Sequence, residues 1–305
     1  PADVGVGDVY QVRDTDLATR LSFFLWGLPP DDELMRVASE GRLSAADELD
    51  RQVRRMLEDE RSEALATRFA AQWLRLDDLD KVHPDRLLFP DFHQRLSDDL
   101  RRETEEFFAH VVREDRSVLE LYTADYSVMN ERVARHYGID GVLGEEFRAV
   151  RYPDDRRRGL LGHGSVLTLT SHAGRTSPVL RGKWIMERIA GYELPPPPAA
   201  VPAVEPDIRG AVTIRQQLDK HRADESCAQC HRKIDPPGFA LESFDVFGGF
   251  REHYRATSPF ENAAPGFGRN GHPFGFYYAL PVDPRGELPD GRSFRDVREF
   301  KQLLA

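Results

Sequence analysis

Proline is concentrated in one stretch of this 305-residue chain, where four consecutive prolines occupy positions 195–198. Each proline ring fixes φ and removes a backbone N–H donor, so such a run cannot continue a helix or lie inside a sheet. The surrounding segment, 194–206, is therefore predicted to be an extended, polyproline-like connector. It separates a helical body from the segment that contains both cysteines.

Apolar residues before the connector recur at the spacing of amphipathic helices through most of 14–140, which predicts an all-helical bundle. Asn130 and Gly138 bracket a short helix as cap and terminator. A further helix is predicted to begin at Pro178, since proline fits the first helical turn. After the connector, 213–224 is predicted to form an amphipathic helix that leads to the cysteines.

The only two cysteines, Cys227 and Cys230, lie three residues apart, and His231 follows directly. On a helical turn, residues i and i+3 project to the same side. Each thiol can therefore bond one vinyl group of a porphyrin, while the adjacent imidazole reaches the iron. The pattern predicts one covalent haem c with His231 as iron ligand. A carbonyl of the following Pro236 or Pro237 is one expected acceptor for the second ring nitrogen, and a plain turn at these prolines is the equal alternative.

Two other uses of paired cysteines stay open as alternatives. A zinc site needs four ligands, whereas only three candidates cluster here. A thioredoxin-like redox pair needs a strand-to-helix setting, which this proline-linked helical segment lacks. Haem attachment is favoured over both.

These patterns predict a mainly α protein in three parts. A helical domain occupies 1–150, and a cytochrome-c-like haem-binding domain, which includes the proline-rich connector, occupies 151–255. A loop-rich C-terminal domain occupies 256–305, because Gly, Pro and Asn are frequent there. Its stretch "VDPRGELPDG" favours a short hairpin.

The net charge of the chain indicates which kinds of partner are not expected. The chain has 42 basic and 52 acidic residues and a formal net charge of −10 at pH 7. Such a charge repels phosphate backbones and anionic lipid, so nucleic acid is not an expected partner. No stretch approaches the roughly 18 apolar residues of a membrane helix, so no membrane span is predicted in this chain.

The expected compartment follows from the cofactor. Bacteria attach haem c outside the cytoplasmic membrane, so the protein is expected to be periplasmic or otherwise exported. The chain opens with neither an initiator methionine nor a secretion signal. We therefore expect that an N-terminal part of the gene product is missing from this sequence.

Several stretches occur in the order typical of a known family. They are "TRLSFFLWGLPPDDEL", "TSHAGRTSPVLRGKW", "PPPP", "CAQCHRKIDPPGFALESFDVFGGFR" and "LPVDPRGELPDGRSFRDVREFKQLLA". Nearly the whole chain resembles the large cytochrome-c-like proteins, abundant in planctomycetes and related bacteria, that consist of consecutive domains of unknown function. The resemblance implies that Cys227, Cys230 and His231 bind haem. It implies a cofactor but no substrate, and the second C-x-x-C-H found in many members is missing here.

The ligand opposite His231 decides whether the iron carries electrons or binds a small molecule. His172 is the favoured sixth ligand because it lies in the polar turn "TSHAGRTSPV". Arg175 and Arg181 lie close by in the sequence and are predicted to pair with the haem propionates. Surface ion pairing is the open alternative for both arginines. The other candidate sixth ligands are His163, His253, His272, Met129 and Met186.

The sequence thus predicts a c-type cytochrome module that transfers single electrons in the bacterial cell envelope. Its expected partner is a redox protein or a larger envelope complex. No other catalytic pattern accompanies the haem motif, so an electron-transfer protein is favoured over a self-standing enzyme. Two alternatives remain: a peroxidase-like haem oxidoreductase with an open sixth site, and a structural or assembly subunit of a larger envelope complex.

Overall fold

A computed structural model describes residues 5, 7, 9–195, 212–222, 225–259, 261–269 and 271–304. The chain divides into two compact units. The first comprises 1–72 with 108–116, and the second comprises 73–107 with 117–305. The three-domain division expected from the sequence stays a prediction.

The first unit is built from short helices. They are α1 (Asp14–Leu25), α2 (Asp32–Ser39) and α3 (Ala46–Glu58), then a 3-10 turn (Glu60–Ser62) and a π-helical turn (Leu65–Ala70) that leads into α4 (Ala71–Leu74). Trp26 is buried and donates its ring N–H to the carbonyl of Met56 over 2.9 Å. Phe24 of α1 is 52% exposed.

The next elements along the chain include a small sheet. They are a 3-10 turn (Leu76–Lys81), α5 (Gln94–Arg113), α6 (Glu120–Thr123), β1 (Tyr126–Met129), α7 (Glu131–Tyr137) and β2 (Arg148–Arg151). Strand β1 pairs antiparallel with β2. The side chain of Asn130 caps α7 by accepting from Val133 N, and Gly138 ends it with φ of +73°, so this helix was predicted correctly. The expected all-helical range is wrong at β1, which is too short to show a strand period.

Four helices follow in the chain, and the last of them contains the cysteine segment. They are α8 (Gly164–Leu169), α9 (Pro178–Trp184), α10 (Ile214–His221) and α11 (Glu225–Ala240), with a π-helical turn (Ile185–Ile189) after α9. The predicted starts of α9 and α10 are confirmed, with side-chain caps at Ser177 and Thr213. Of the connector predicted at 194–206, only residues 194 and 195 are described, and the rest lies outside the described residues.

The C-terminal part contains more strand than the sequence suggests. Its elements are β3 (His253–Ala256), β4 (Pro265–Phe267), β5 (Pro273–Pro281), β6 (Gly286–Glu287), β7 (Ser293–Phe294) and α12 (Val297–Leu304). Strands β3, β5 and β4 form an antiparallel sheet in that order. Its prolines lie at strand ends, where a missing N–H is tolerated. The predicted hairpin is present as β6 and β7.

The fold class is mainly α, as predicted, since about half of the described residues are helical and the sheets are small. The second unit has a hydrophobic cluster that includes Phe89, Leu100, Met129 and Phe247. Phe247 contacts Phe89 edge to face, with ring centroids 5.7 Å apart. Among the helices of the described residues, none is long and apolar enough to cross a bilayer.

Candidate functional site

The cysteine pair and the histidine lie near the start of α11. Cys227 and Cys230 are partly buried and form no disulfide with each other. Their spacing on one helix places the two thiols on the same side of α11. The side chain of His231 is 14% exposed. The three residues are thus presented together on one helix, close to its surface.

His231 is oriented by a buried carboxylate. Its Nδ1 lies 2.9 Å from Oδ1 of Asp235, one helical turn later, and the Asp235 side chain is fully buried. A carboxylate accepts here, so Nδ1 donates and the lone pair of the neutral imidazole lies on Nε2. This arrangement is typical of histidines that ligate a metal through Nε2.

The prediction that a carbonyl of Pro236 or Pro237 accepts from His231 was wrong, because a different group is the acceptor. Helix α11 continues through both prolines to Ala240, so no turn occurs there. Asp235 takes the role instead, because residues i and i+4 of a helix are neighbours. The His-to-Asp spacing of four was the sequence signal for this contact.

The environment of Asp235 is cationic on one side. Its Oδ2 has no hydrogen-bond partner among the described residues, and Nη1 of Arg222, just after α10, lies 3.8 Å away. The pair therefore gives His231 an anionic acceptor held in place by burial.

The donor set fits a covalently attached haem. Among the described residues, no group of three or more His, Cys, Asp or Glu side chains is arranged to hold a metal ion by itself. A haem iron needs no such group, because the porphyrin supplies four ligands and the protein needs to add only one or two. Two thiols and one oriented imidazole match that requirement.

His172 and Arg175 come together at a cavity of about 570 Å³. We call it the arginine cavity, since Arg175, Arg251 and Arg255 line it. His172 is exposed at its mouth, where partial desolvation and then the charge of Arg175 lower its pKa. The described lining includes none of the three motif residues of α11. The roles of His172 as sixth ligand and of Arg175 as propionate partner stay predictions.

Arg181 lies elsewhere, in the interior behind α11. Its side chain is fully buried, and burial lowers its pKa to about 10. It donates to the carbonyls of Leu241, Phe244 and Asp245 over 2.6–2.9 Å and to Glu242 Oε1 over 3.3 Å. These contacts brace the chain that follows α11. Surface ion pairing does not describe this residue, and its propionate contact stays a prediction.

The alternative sixth ligands differ in their surroundings. His163 is fully buried, with Nδ1 2.9 Å from Thr104 Oγ1 and Nε2 3.3 Å from Ser127 Oγ, and burial lowers its pKa to about 3. Met129 belongs to the hydrophobic cluster, and Met186 is half-buried in the turn after α9. The two remaining candidates, His253 and His272, are exposed.

Two family models match the chain one after the other. Residues 12–139 match PSD4, a protein of unknown function (DUF1592), and residues 157–254 match PSCyt3, a protein of unknown function (DUF1588). Together they cover about three quarters of the sequence. No curated protein and no solved structure shows a significant match.

The chain therefore contains two consecutive domains of unknown function. It belongs to the planctomycete-type family in which these two domains of unknown function follow one another. The second matched range contains the whole C-x-x-C-H segment and its helix α11. The family descriptions leave the activity open, and the name PSCyt points to a cytochrome-like role.

Proposed function

We propose that this chain is a c-type cytochrome module that transfers single electrons in the bacterial cell envelope. Cys227 and Cys230 would each add an S–H group across one vinyl group of a haem, with no atom released. His231 would ligate the iron through Nε2. The bound haem c would supply reversible one-electron chemistry. The observation that carries the proposal is the 2.9 Å contact between His231 Nδ1 and Asp235.

The chain's own residues would provide a rigid mount for this group. Asp235 holds the imidazole in one tautomer, and its burial limits competition from water. Helix α11 packs closely on α9, which restricts its movement. Because bacteria attach haem c outside the cytoplasmic membrane, the proposal includes an envelope location. A redox protein or a larger envelope complex would be its electron partner.

Covalent haem is the first test. We expect that the full chain, co-expressed with the bacterial haem c maturation system, keeps haem absorbance after denaturation and acid–acetone extraction. The double variant Cys227→Ala/Cys230→Ala should lose this haem entirely, because no thioether bond can form. Haem staining of a denaturing gel and the pyridine haemochrome spectrum measure the result. A wild-type chain without covalent haem would show the proposal to be wrong.

A histidine pair provides the matched control. His231→Ala removes the proposed iron ligand, whereas His83→Ala removes an exposed imidazole. We expect only the first change to alter the Soret band of the haem protein. Electron transfer further requires a six-coordinate, low-spin spectrum in both oxidation states. A spectrum that changes on addition of carbon monoxide or cyanide would instead support the peroxidase-like alternative with an open sixth site.

A further inference from the structure

The described residues that line the arginine cavity do not include the cysteines or the histidine of the motif on α11. The cavity is bounded by the turn 172–176, by the first half of α10, by 251–257 and by residues near Phe89. A volume of about 570 Å³ lies within the range of small-molecule sites in proteins. All of these segments belong to the second unit. The cavity is therefore large enough for a small organic ligand.

The wall of the cavity is rich in positive charge. Three arginines line it, whereas Asp85 is the only carboxylate among the described lining residues. Asp85 already accepts from the backbone N–H of Leu87 over 2.7 Å. A cavity with this balance attracts an anion, and guanidinium groups suit a carboxylate best.

The carboxylates behind the wall do not cancel this charge. Glu242 lies 3.3 Å from Nη1 of Arg181 and 3.2 Å from Nη2 of Arg251. Asp245 lies 3.8 Å from Nη2 of Arg255. The guanidinium groups of these three arginines are thus in direct contact with two buried carboxylates, so positive charge is in excess. Burial lowers the pKa of Arg255, which reflects the cost of keeping its cation out of water.

The rest of the lining combines an apolar surface with one polar group. Leu88 and Phe89 are buried side chains of the wall, and the guanidinium of Arg255 lies 5.1 Å from the ring centroid of Phe89. Oε1 of Gln217 is buried and has no hydrogen-bond partner among the described residues. A buried acceptor of this kind is costly unless a ligand donor reaches it.

We propose that the arginine cavity binds a small hydroxy acid with an apolar body. The carboxylate would face Arg175, Arg251 and Arg255, and the hydroxyl group would donate to Gln217 Oε1. The apolar body would lie against Leu88 and Phe89. This assignment gives Arg175 a ligand other than a haem propionate. It goes beyond electron transfer and does not depend on haem attachment.

Calorimetric titration of the full chain tests the site with defined probes. Mandelate and 2-hydroxyisocaproate should bind saturably, and each should bind about tenfold or more tightly than its own amide, because the amide lacks the charge. Phenylacetate, which lacks the hydroxyl group, should bind more weakly than mandelate. If neither acid binds more tightly than its amide, the proposal is wrong, whether or not any variant folds.

Two variants locate the binding. Arg175→Ala should weaken mandelate binding about tenfold, whereas Arg36→Ala, an exposed arginine paired with Glu40, should leave it unchanged. Gln217→Leu should remove the preference for mandelate over phenylacetate. Circular dichroism confirms that each variant is folded. Binding that Arg175→Ala and Gln217→Leu leave unaltered would place the acid elsewhere and overturn the assignment.

Both haem states must be titrated to separate this proposal from the previous one. The haem protein and the Cys227→Ala/Cys230→Ala double variant should bind mandelate equally. Binding only to the double variant would mean that haem itself fills the arginine cavity, which would overturn the hydroxy-acid proposal while supporting haem attachment. If the wild-type chain attaches no haem and binds mandelate as tightly as the double variant does, only the cytochrome proposal would be overturned.

Discussion

Single side chains set the chemistry of α11. The imidazole of His231 directly follows the two thiols in sequence, but a carboxylate one turn later decides how it is oriented. A hydrogen bond from Nδ1 to an anionic acceptor increases the electron density that Nε2 offers to a metal. Such a ligand stabilises the more oxidised iron, so Asp235 would lower the reduction potential of the bound haem.

The variant Asp235→Asn tests this role of a positioning residue. We expect a higher midpoint potential than in the wild-type haem protein, because a neutral amide is a weaker acceptor than a carboxylate. Asp235→Glu should restore part of the difference. Spectroelectrochemical titration measures the potential, and Asp80→Asn, at an exposed position, serves as control. Equal potentials for Asp235→Asn and the wild type would contradict the role.

Helices α9 and α11 contact each other closely at two glycine positions. A Cβ atom at Gly182 of α9 would overlap the carbonyl oxygen of Ile234 on α11. A Cβ atom at Gly238 of α11 would overlap the carbonyl oxygen of Pro178. The two backbones can approach only because both positions are glycine. This contact holds the motif helix against its neighbour.

Replacement of either glycine should therefore destabilise the second unit. We expect Gly182→Ala and Gly238→Ala each to lower the free energy of unfolding by about 1–3 kcal/mol or more, as overpacking does. Gly174→Ala is the matched control, because its Cβ would lie 3.7 Å from Leu88, an ordinary contact distance. Urea-induced unfolding gives the values. Similar stability for all three variants would show that the α9–α11 contact can relax.

Some helices and strands of this chain could be predicted from the sequence and others could not. The cap at Asn130 allowed the start of α7 to be predicted, since capping is a local interaction. The amphipathic pattern of 213–224 allowed α10 to be predicted, since it too depends on neighbouring residues. The sheet of β3, β5 and β4 was missed, because its stability comes from pairing between distant segments rather than from a local period. The passage of α11 through Pro236 and Pro237 was missed for a related reason. Tertiary packing there overrides a local preference.

The stability of the whole molecule should depend on pH through its buried groups. Glu103 is fully buried, accepts from the hydroxyl of Tyr137 over 2.5 Å, and burial raises its pKa to about 7 from 4.5. Its contribution to stability is fully present below pH 4.5 and is lost as the pH rises through 7. His163 acts in the opposite direction. With its pKa lowered to about 3, its contribution is present above pH 6.5 and is lost as the pH falls towards 3.

The variant Glu103→Gln separates these effects. It keeps an acceptor for Tyr137 but has no charge to bury, so its stability relative to the wild type should increase between pH 4.5 and pH 8. The increase should be about 3 kcal/mol, at about 1.4 kcal/mol per unit of pKa. Urea unfolding at pH 4.5, 6 and 8 measures it, with the exposed Glu225→Gln as control. A difference that does not vary with pH would contradict the argument.

The chain's sequence alone was enough to determine its mainly α class and several helix starts, and it contains the C-x-x-C-H motif on which the haem prediction depends, because all three depend on residues close together in the chain. Tertiary structure decided which side chains meet across distance. It buried Arg181 behind α11, and it placed His172 and Arg175 at a cavity with Arg251 and Arg255. Local patterns contain no information on such encounters, since the contacts join segments that lie tens of residues apart and form only when the core packs.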